Sequence, residues 1–512
     1  MDSAASSAPE RTYFLARFLM LRLLAAVYLC AFAVFLFQGP ALVGANGLLP
    51  AATFLDDVAR ELGGRWQGFF ELPSVFWAGC SDGAMLALAA AGALVSLVGM
   101  LGFSNALSWL FLWGSYLSLA NVGQVFWGFG WEIQLLETGF LAVFLCPLLD
   151  PRPFPDRAPP VQVMWLYRWL IFRIMLGAGL IKLRGDPCWT ELTCLDFHFE
   201  TQPIPNPLTP YFHALPKWAL HGGVAFNHVA ELVAPFLLFW PRRLRLVGGL
   251  VVIAFQLVLI ASGNLSFLNW LTILPAIACF DDAALGRVLP PRFGLRAHKA
   301  QLLPSVSRAQ HVAAWALCAV IGALSIPVVL NLLSKKQVMN SGFNALKLVN
   351  TYGAFGTVGK ERFELIFEGA AAAGPDGGPP TEDAAWKAYE FPCKPGDVQR
   401  PPCWLSPYHR RLDWQVWFAA MASPDDEPWT IHLLWKLLHS DAGALSLLAG
   451  NPFPEAPPRF VRVRRFRYHL LPPGSAATWS REAPEEWLPA TWKEDPRLIR
   501  ILQAYGWLPR PP

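Results

Sequence analysis

Long apolar runs separated by short polar connectors occupy the first two-thirds of the chain, after which the runs shorten and begin to alternate. A membrane-spanning helix needs about 20 mostly apolar residues. Residues 14–37, 84–101, 106–122, 131–149, 165–183, 218–240, 246–261, 265–280 and 310–333 meet that description, so the pattern predicts about nine spans. Ser262-Gly263-Asn264 interrupts the stretch 246–280 and marks either a tight turn or a break within a re-entrant hairpin. The first run follows a short polar leader with Arg11. It is too long, and lacks the small-residue cleavage site, for a removed signal peptide, which predicts a retained anchor. Beyond Leu333, residues 362–367 (RFELIF), 386–391 (WKAYEF) and 460–471 (FVRVRRFRYHLL) alternate or are rich in β-formers, as half-buried strands are. Residues 429–448 read as one helix, and the Pro/Gly-rich stretches 373–380 and 400–402 as turns.

The expected fold is therefore an α-helical polytopic membrane bundle followed by a small β-rich domain with one or two helices. Residues 1–333 form the multi-pass part, with a polar loop at 184–217, and residues 334–512 form the second domain. No internal repeat is visible.

Composition supports this class. Hydrophobic residues make up 54% of the chain and charged ones only 15%, against about 25% charged in soluble domains. The 23 Trp suit many membrane interfaces, where the indole settles at headgroup level. A net charge of +4, with Lys and Arg scattered, argues against a nucleic-acid partner. With the N-terminus placed in the cytosol, the inside loops hold Arg152, Arg157, Arg242, Arg243, Arg245, Arg287, Arg292, Arg296, Lys299 and Arg308. The short outside loops hold only Arg60, Arg65 and Arg184. The positive-inside rule then puts the 184–217 loop and the C-terminal domain on the exoplasmic side. Of the nine Cys, Cys80, Cys188, Cys194, Cys393 and Cys403 would face an oxidising compartment, where disulfides persist. Local pairing suggests Cys188–Cys194 and Cys393–Cys403, leaving Cys80 over; reduced or re-paired alternatives stay open, since connectivity does not follow from spacing.

Several ionisable residues fall inside or beside predicted spans: Arg17, Arg22, Glu132, Glu137, Arg168, Arg173, Lys182, His228 and Glu231. Such groups normally face the bundle interior and pair, because a charge at the bilayer centre is costly. His228 and Glu231, spaced i, i+3, share a helix face. Interhelical ion pairs are the expected role, with Arg17, Arg168 and Glu132 reaching the interface; a proton relay, a substrate path or a catalytic pocket is the functional alternative. The loop DPCWTELTCLDFHFE offers Cys188, Cys194, Asp196, His198 and Glu200, but at none of the usual zinc spacings. No metal and no cofactor is expected. Pro203-Ile204-Pro205-Asn206-Pro207 is a stiff extended segment. Asn264-Leu-Ser is a formal glycosylation sequon in a turn against the membrane. No Gly-rich phosphate loop, GxSxG elbow or HExxH pattern occurs. In the second domain, Tyr408, Arg410, Arg411, Asp413, Trp414 and Trp417 crowd charge beside large aromatics. Trp, Tyr and Arg dominate binding hot spots, so this cluster is the candidate partner-binding surface; core packing explains Trp414 and Trp417 equally well.

The runs GLIKLRGDPCWTELTCLDFHFETQPIPNPL, NHVAELVAPF, SGNLSFLNWLT, VNTYGAFGTVGKERFE, YEFPCKPGD, SPYHRRLDWQVWFAA and ALSLLAGNPF closely resemble the lipase maturation factors. The resemblance extends over residues 14–468 and departs from the family at the polar N-terminus, the 370–380 insert and the last forty or so residues. It implies a multi-pass protein of the endoplasmic-reticulum membrane whose lumenal C-terminal domain engages client lipases of the lipoprotein lipase type and assists their folding and assembly into active, export-competent homodimers. In a bacterium the same topology would place the domain in the periplasm. The resemblance brings no catalytic residues, so a non-enzyme is expected. The main alternative is a membrane-embedded enzyme, because the family's helical core distantly resembles that of vitamin K-dependent carboxylases, with Lys182, His228 and Glu231 as acid/base groups. A transporter is disfavoured by the absence of a two-fold repeat and of paired broken helices.

Overall fold

The computed structural model describes residues 12–301, 307–381 and 383–508; Arg11 and the side chain of Lys299 lie outside the described residues. The bundle is built round the helix Phe14–Val43, which packs along Asp82–Leu101, Ala106–Val122, Gly130–Leu145 and Leu268–Ile277. Small residues allow the close approaches that packing between membrane helices favours. Gly92 lies against the ring of Phe32, and Gly139 against Tyr28, whose hydroxyl donates to the Leu135 carbonyl at 3.1 Å.

Among the described residues, five helices are long and apolar enough to cross a membrane: Phe14–Val43, Asp82–Leu101, Val161–Arg184, Arg242–Ser262 and Arg308–Leu333. The expected count of nine is thus not confirmed. Three of the other predicted spans form shorter helices, Ala106–Val122, Gly130–Leu145 and Leu268–Ile277. The run 218–240 is not one regular helix. Its α-helix Lys217–His228 passes through a π-helical turn at Val229–Val233 into Ala234–Leu237, where Pro235 removes a backbone donor. The break at 262–264 is present, with Arg242–Ser262 ending before an extended Gly263. Peripheral spans turn apolar side chains outward, among them Leu94, Leu97 and Leu101 on one and Val312, Ile326 and Leu330 on another. Buried Arg and Glu lie inside. This is the arrangement a lipid solvent requires.

The expectation that Arg17, Arg168 and Glu132 reach the interface is not met: all three are buried. Arg17 donates to the Arg157 carbonyl at 2.7 Å, and Arg168 to the Ala278 carbonyl and the Tyr13 hydroxyl at 3.0 and 2.8 Å. Backbone carbonyls at loop ends take up these guanidinium donors in place of water. Asp282 caps the first helix by accepting from the Phe14 and Leu15 amides at 3.1 and 2.7 Å.

The C-terminal region is a sheet of five antiparallel strands, β1 Arg362–Ala370, β2 Lys387–Tyr389, β3 Phe460–Leu470, β4 Trp479–Arg481 and β5 Glu485–Thr491. Their order is β2-β1-β3-β4, with β5 also paired to β3. Along β3, Val463, Phe466, Tyr468 and Leu470 are buried, while Arg462, Arg464, Arg465 and Arg467 stay half-buried. Those four arginines meet Glu368, Asp383, Glu485, Glu361 and Glu482, so the ladder is neutralised. The region holds more helix than expected. Arg411–Ala419 packs on β1, Trp429–Leu438 on β3, Ala442–Ser446 on the first bundle helix and Pro496–Ala504 on Trp429–Leu438. The predicted helix 429–448 is split because Ser440 takes a left-handed φ of 49° and Asp441 caps a new helix at the Ala444 amide.

One hydrophobic core runs through both parts, from Tyr13 and Tyr28 in the bundle to Leu433 and Leu502 in the C-terminal region. Asn264, fully buried, fastens them. Its side chain donates to the carbonyls of Pro205 (3.2 Å) and Cys403 (2.8 Å) and accepts from the amides of Leu405 and Ser406, both at 3.0 Å. The sequon asparagine has both ends of its amide spent on backbone.

Asn264→Ala should leave four backbone groups, one buried and three partly buried, without this partner. At about 1–3 kcal/mol per unsatisfied group, the melting temperature of the detergent-solubilised protein should fall by several degrees. Protease should then cut within residues 401–410. A variant with unchanged melting and cleavage would show that this fastening is dispensable.

Candidate functional site

The sequence-selected residues converge on the seam between the bundle and the C-terminal region. Glu132 opens the helix Gly130–Leu145 and is 1% exposed; its cation is Arg411, fully buried, at 2.8 Å. Tyr116 also donates to Glu132. Arg411 donates to the Phe126 carbonyl at 2.6 Å and stacks 4.0 Å over the Trp127 ring. The helix Arg411–Ala419 is therefore planted in the bundle by its first residue. Gln38 accepts from the Arg411 amide at 2.9 Å and donates to the His409 carbonyl at 2.7 Å. Asp413 is fully buried and accepts the amides of Cys393 and Lys394 at 2.8 and 2.9 Å; burial pushes its carboxyl pKa up against those hydrogen bonds. His409 stacks edge-on against Phe129, Trp131 and Trp414, and burial, helped by Arg411, holds its pKa well below the usual histidine value.

The cluster expected as a partner-binding surface therefore divides. Arg411, Asp413 and Trp414 are buried. Arg411 is not an exposed anchor: it is buried and paired with Glu132 of the bundle. Tyr408, Arg410 and Trp417 remain half-buried, with the Arg410 guanidinium 5.5 Å from the Tyr408 ring and the Trp417 indole donating to the Thr201 carbonyl at 3.1 Å. Exposed Trp404, Phe418 and Met421 stand near them in the chain.

Two further polar nodes lie deeper. Glu137 pairs with Arg173 and also accepts from the Asn350 amide (3.1 Å) and the Tyr352 hydroxyl (2.7 Å). Arg173 in turn donates to the Asn350 carbonyl at 2.8 Å. Glu231 sits in the π-helical turn and pairs with Lys182 at 2.6 Å, while Asn227 bridges the two at 2.9 and 3.1 Å. His228 donates instead to the Trp189 carbonyl at 2.9 Å and does not touch the pair.

The loop after Arg184 joins the same seam. Cys188 is bonded to Cys194 and Cys393 to Cys403, while Cys30, Cys80, Cys146, Cys279 and Cys318 are free. The Trp189 indole donates to the Phe355 carbonyl at 2.9 Å, and Glu200 accepts the Leu470 amide at 2.9 Å. His198 is buried edge-on to Phe355; burial, with Lys182 second, lowers its pKa to about 4. Asp196 faces Lys217 and His221, each at 3.8 Å. The loop residues thus work as fasteners, and among the described residues no three His, Cys, Asp or Glu side chains are grouped to hold a metal.

Sequence reasoning missed Gln38, Asn264, Asn350 and the buried triad of Arg362, Glu364 and Lys394, whose two cations lie 2.6 Å from Glu364. Arg362 also donates to the carbonyls of Glu200 (2.7 Å), Gln202 (2.5 Å) and Pro203 (3.0 Å). Arg362 and Glu364, spaced i, i+2 and so on one face of a strand, were the available signal.

Comparison with known proteins covers both parts of the seam. Residues 15–287 match the lipase maturation factor transmembrane domain, and residues 348–489 match the lipase maturation factor C-terminal domain. The chain is 49% identical to lipase maturation factor 1 of Bos taurus over 90% of its own length and 85% of the relative's. It is 48% identical to the Homo sapiens protein of that name, over 90% and 84%. Lipase maturation factor 2 of Rattus norvegicus is 30% identical over 95% and 84%. No solved structure matches the chain.

Removing one partner of a buried ion pair typically costs about 3–5 kcal/mol. Arg411→Ala should accordingly lower the melting temperature and the cellular level of the protein. Combining it as Arg411→Met with Glu132→Gln should recover most of the loss, since replacing a whole buried pair is often near neutral. A stable Arg411→Ala protein would sink this assignment.

Proposed function

The chain belongs to the lipase maturation factor family, and from that membership we propose that it assists secreted homodimeric lipases of the lipoprotein lipase type to reach an active, export-competent form in the endoplasmic reticulum. One observation carries the reading. Both bonded cysteine pairs lie in the seam where the C-terminal region docks, and disulfides persist on the lumenal side of that membrane. The buried half of the aromatic and basic cluster holds the domain on the bundle. Its half-buried members, Tyr408, Arg410 and Trp417, with exposed Met421, meet the client. A maturation factor has to release what it holds, so a modest contact with few anchors suits the task better than a broad apolar face.

A second reading, chemistry within the bundle, has one observation in its favour. Lys182, Asn227 and Glu231 form a buried polar group at a π-helical turn, a feature frequent at functional sites. The same triad has a structural role open to it, since each member satisfies another.

In sealed microsomes, added protease should spare everything after Leu333; digestion without detergent would reverse the orientation. For the client surface, Arg410→Glu with Met421→Ser should reduce active lipase dimer severalfold in cells lacking the native protein, at unchanged abundance of the variant. Full lipase output from that variant would place the client contact elsewhere. A Glu231→Gln protein that is stable and correctly inserted yet inactive would favour the catalytic reading.

A further inference from the structure

The seam encloses a cavity of about 370 Å³, floored by bundle helices and roofed by residues 352–357 and the helix Arg411–Ala419. Its walls are mostly apolar, from Ile174, Met175 and Phe255 to the aromatic roof. Lining residues Met339 and Phe418 are 43% and 38% exposed on the outer surface, and so mark its mouth. The size lies within the range of small-molecule sites, which are mostly apolar with a few placed polar groups.

Gln134 and Thr272 pair with each other along it, but three other donors are short of strong acceptors. Trp131 and Trp414 line the cavity, are 6% and 4% exposed, and bury indole N–H groups that meet no acceptor. Gln256, 3% exposed, has only the Met175 thioether, at 3.7 Å, for its amide N–H. A buried donor without a partner costs about 1–3 kcal/mol, so two such indoles and an amide held only by a weak thioether acceptor call for acceptor oxygens inside the space. Charge is not called for. Glu231 is the one carboxylate among the described lining residues, and Lys182 and Asn227 already occupy its oxygens.

We propose that this cavity binds one uncharged amphipathic lipid, its hydroxyl or ester oxygens accepting from Gln256, Trp131 and Trp414 and its chain lying along the apolar walls. An ionised head group would enter without a counter-charge, which low-dielectric surroundings penalise strongly. Water alone would satisfy the donors but would leave the apolar walls wetted, against the tendency of apolar cavities to stay dry.

The test uses the purified full chain in nanodiscs with a monoacylglycerol carrying a diazirine in its acyl chain. Photolabelling should be saturable, map to peptides of the cavity helices, and be displaced by unlabelled monoacylglycerol but not by the ionised fatty acid of the same chain. Gln256→Leu should weaken labelling about fivefold, the equivalent of one neutral hydrogen bond, at unchanged melting temperature. Should that variant misfold, Trp131→Phe removes a second donor while keeping an aromatic ring at that position. Labelling confined to the outer faces of the spans, equal displacement by fatty acid, or labelling indifferent to a folded donor variant would each overturn the proposal. The readout involves no lipase, so its failure would not bear on the maturation reading.

Discussion

A carboxylate enclosed at the mouth of an apolar bundle has to find a cation, and Glu132 finds Arg411 from the far side of the chain. Without Arg411 the bundle would hold an unpaired buried charge, and without Glu132 the C-terminal region would hold another. Either state is worse than the separated residues in water. Glu137 repeats the logic with Arg173 inside the bundle and Asn350 and Tyr352 from outside it. The two parts are consequently one cooperative unit, as their common hydrophobic core requires.

That coupling was half legible in the sequence. Glu132, Glu137, Arg173, Lys182 and Glu231 stand out as charges in apolar runs, and the rule that such charges pair identifies them as interior. The pairing itself is not written locally, because Arg411 lies in a segment whose neighbours read as surface. Successive residues of a helix point about 100° apart, so Arg410 and Arg411 can face opposite environments while forming a single basic dipeptide. The long strand β3 was legible through its alternation, whereas β4 and β5 and the short helices were not. A three-residue strand such as Trp479–Arg481 carries too few positions to show a period. The π-helical turn at Val229–Val233 left no trace either, since one extra residue in a turn does not disturb hydropathy.

The extended segment after Cys403 shows how far the C-terminal region enters the bundle. Cys30, near the middle of the first helix, lies 3.4 Å from the Pro407 carbonyl, and Trp270 donates to Ser406 at 2.9 Å. Irregular backbone among membrane helices is tolerated only where protein satisfies its polar groups. Asn264 and Gln38 do this, each using donor and acceptor together. Asparagine and glutamine suit the task because the side-chain amide copies a backbone peptide group without bringing a charge.

The same segment continues into the helix that roofs the cavity, so the fastening and the cavity share residues. Arg411 anchors the helix, and Trp414, one turn on, lines the same cavity as Gln256. A ligand held only in the docked arrangement stabilises that arrangement by RT ln(1 + [L]/Kd). By linkage, anything that loosens the seam weakens the ligand by the same free energy. Occupancy and domain docking are then a single equilibrium read at two places. The half-buried residues Tyr408 and Arg410, just before that helix, and Trp417 within it move with the element that this equilibrium positions.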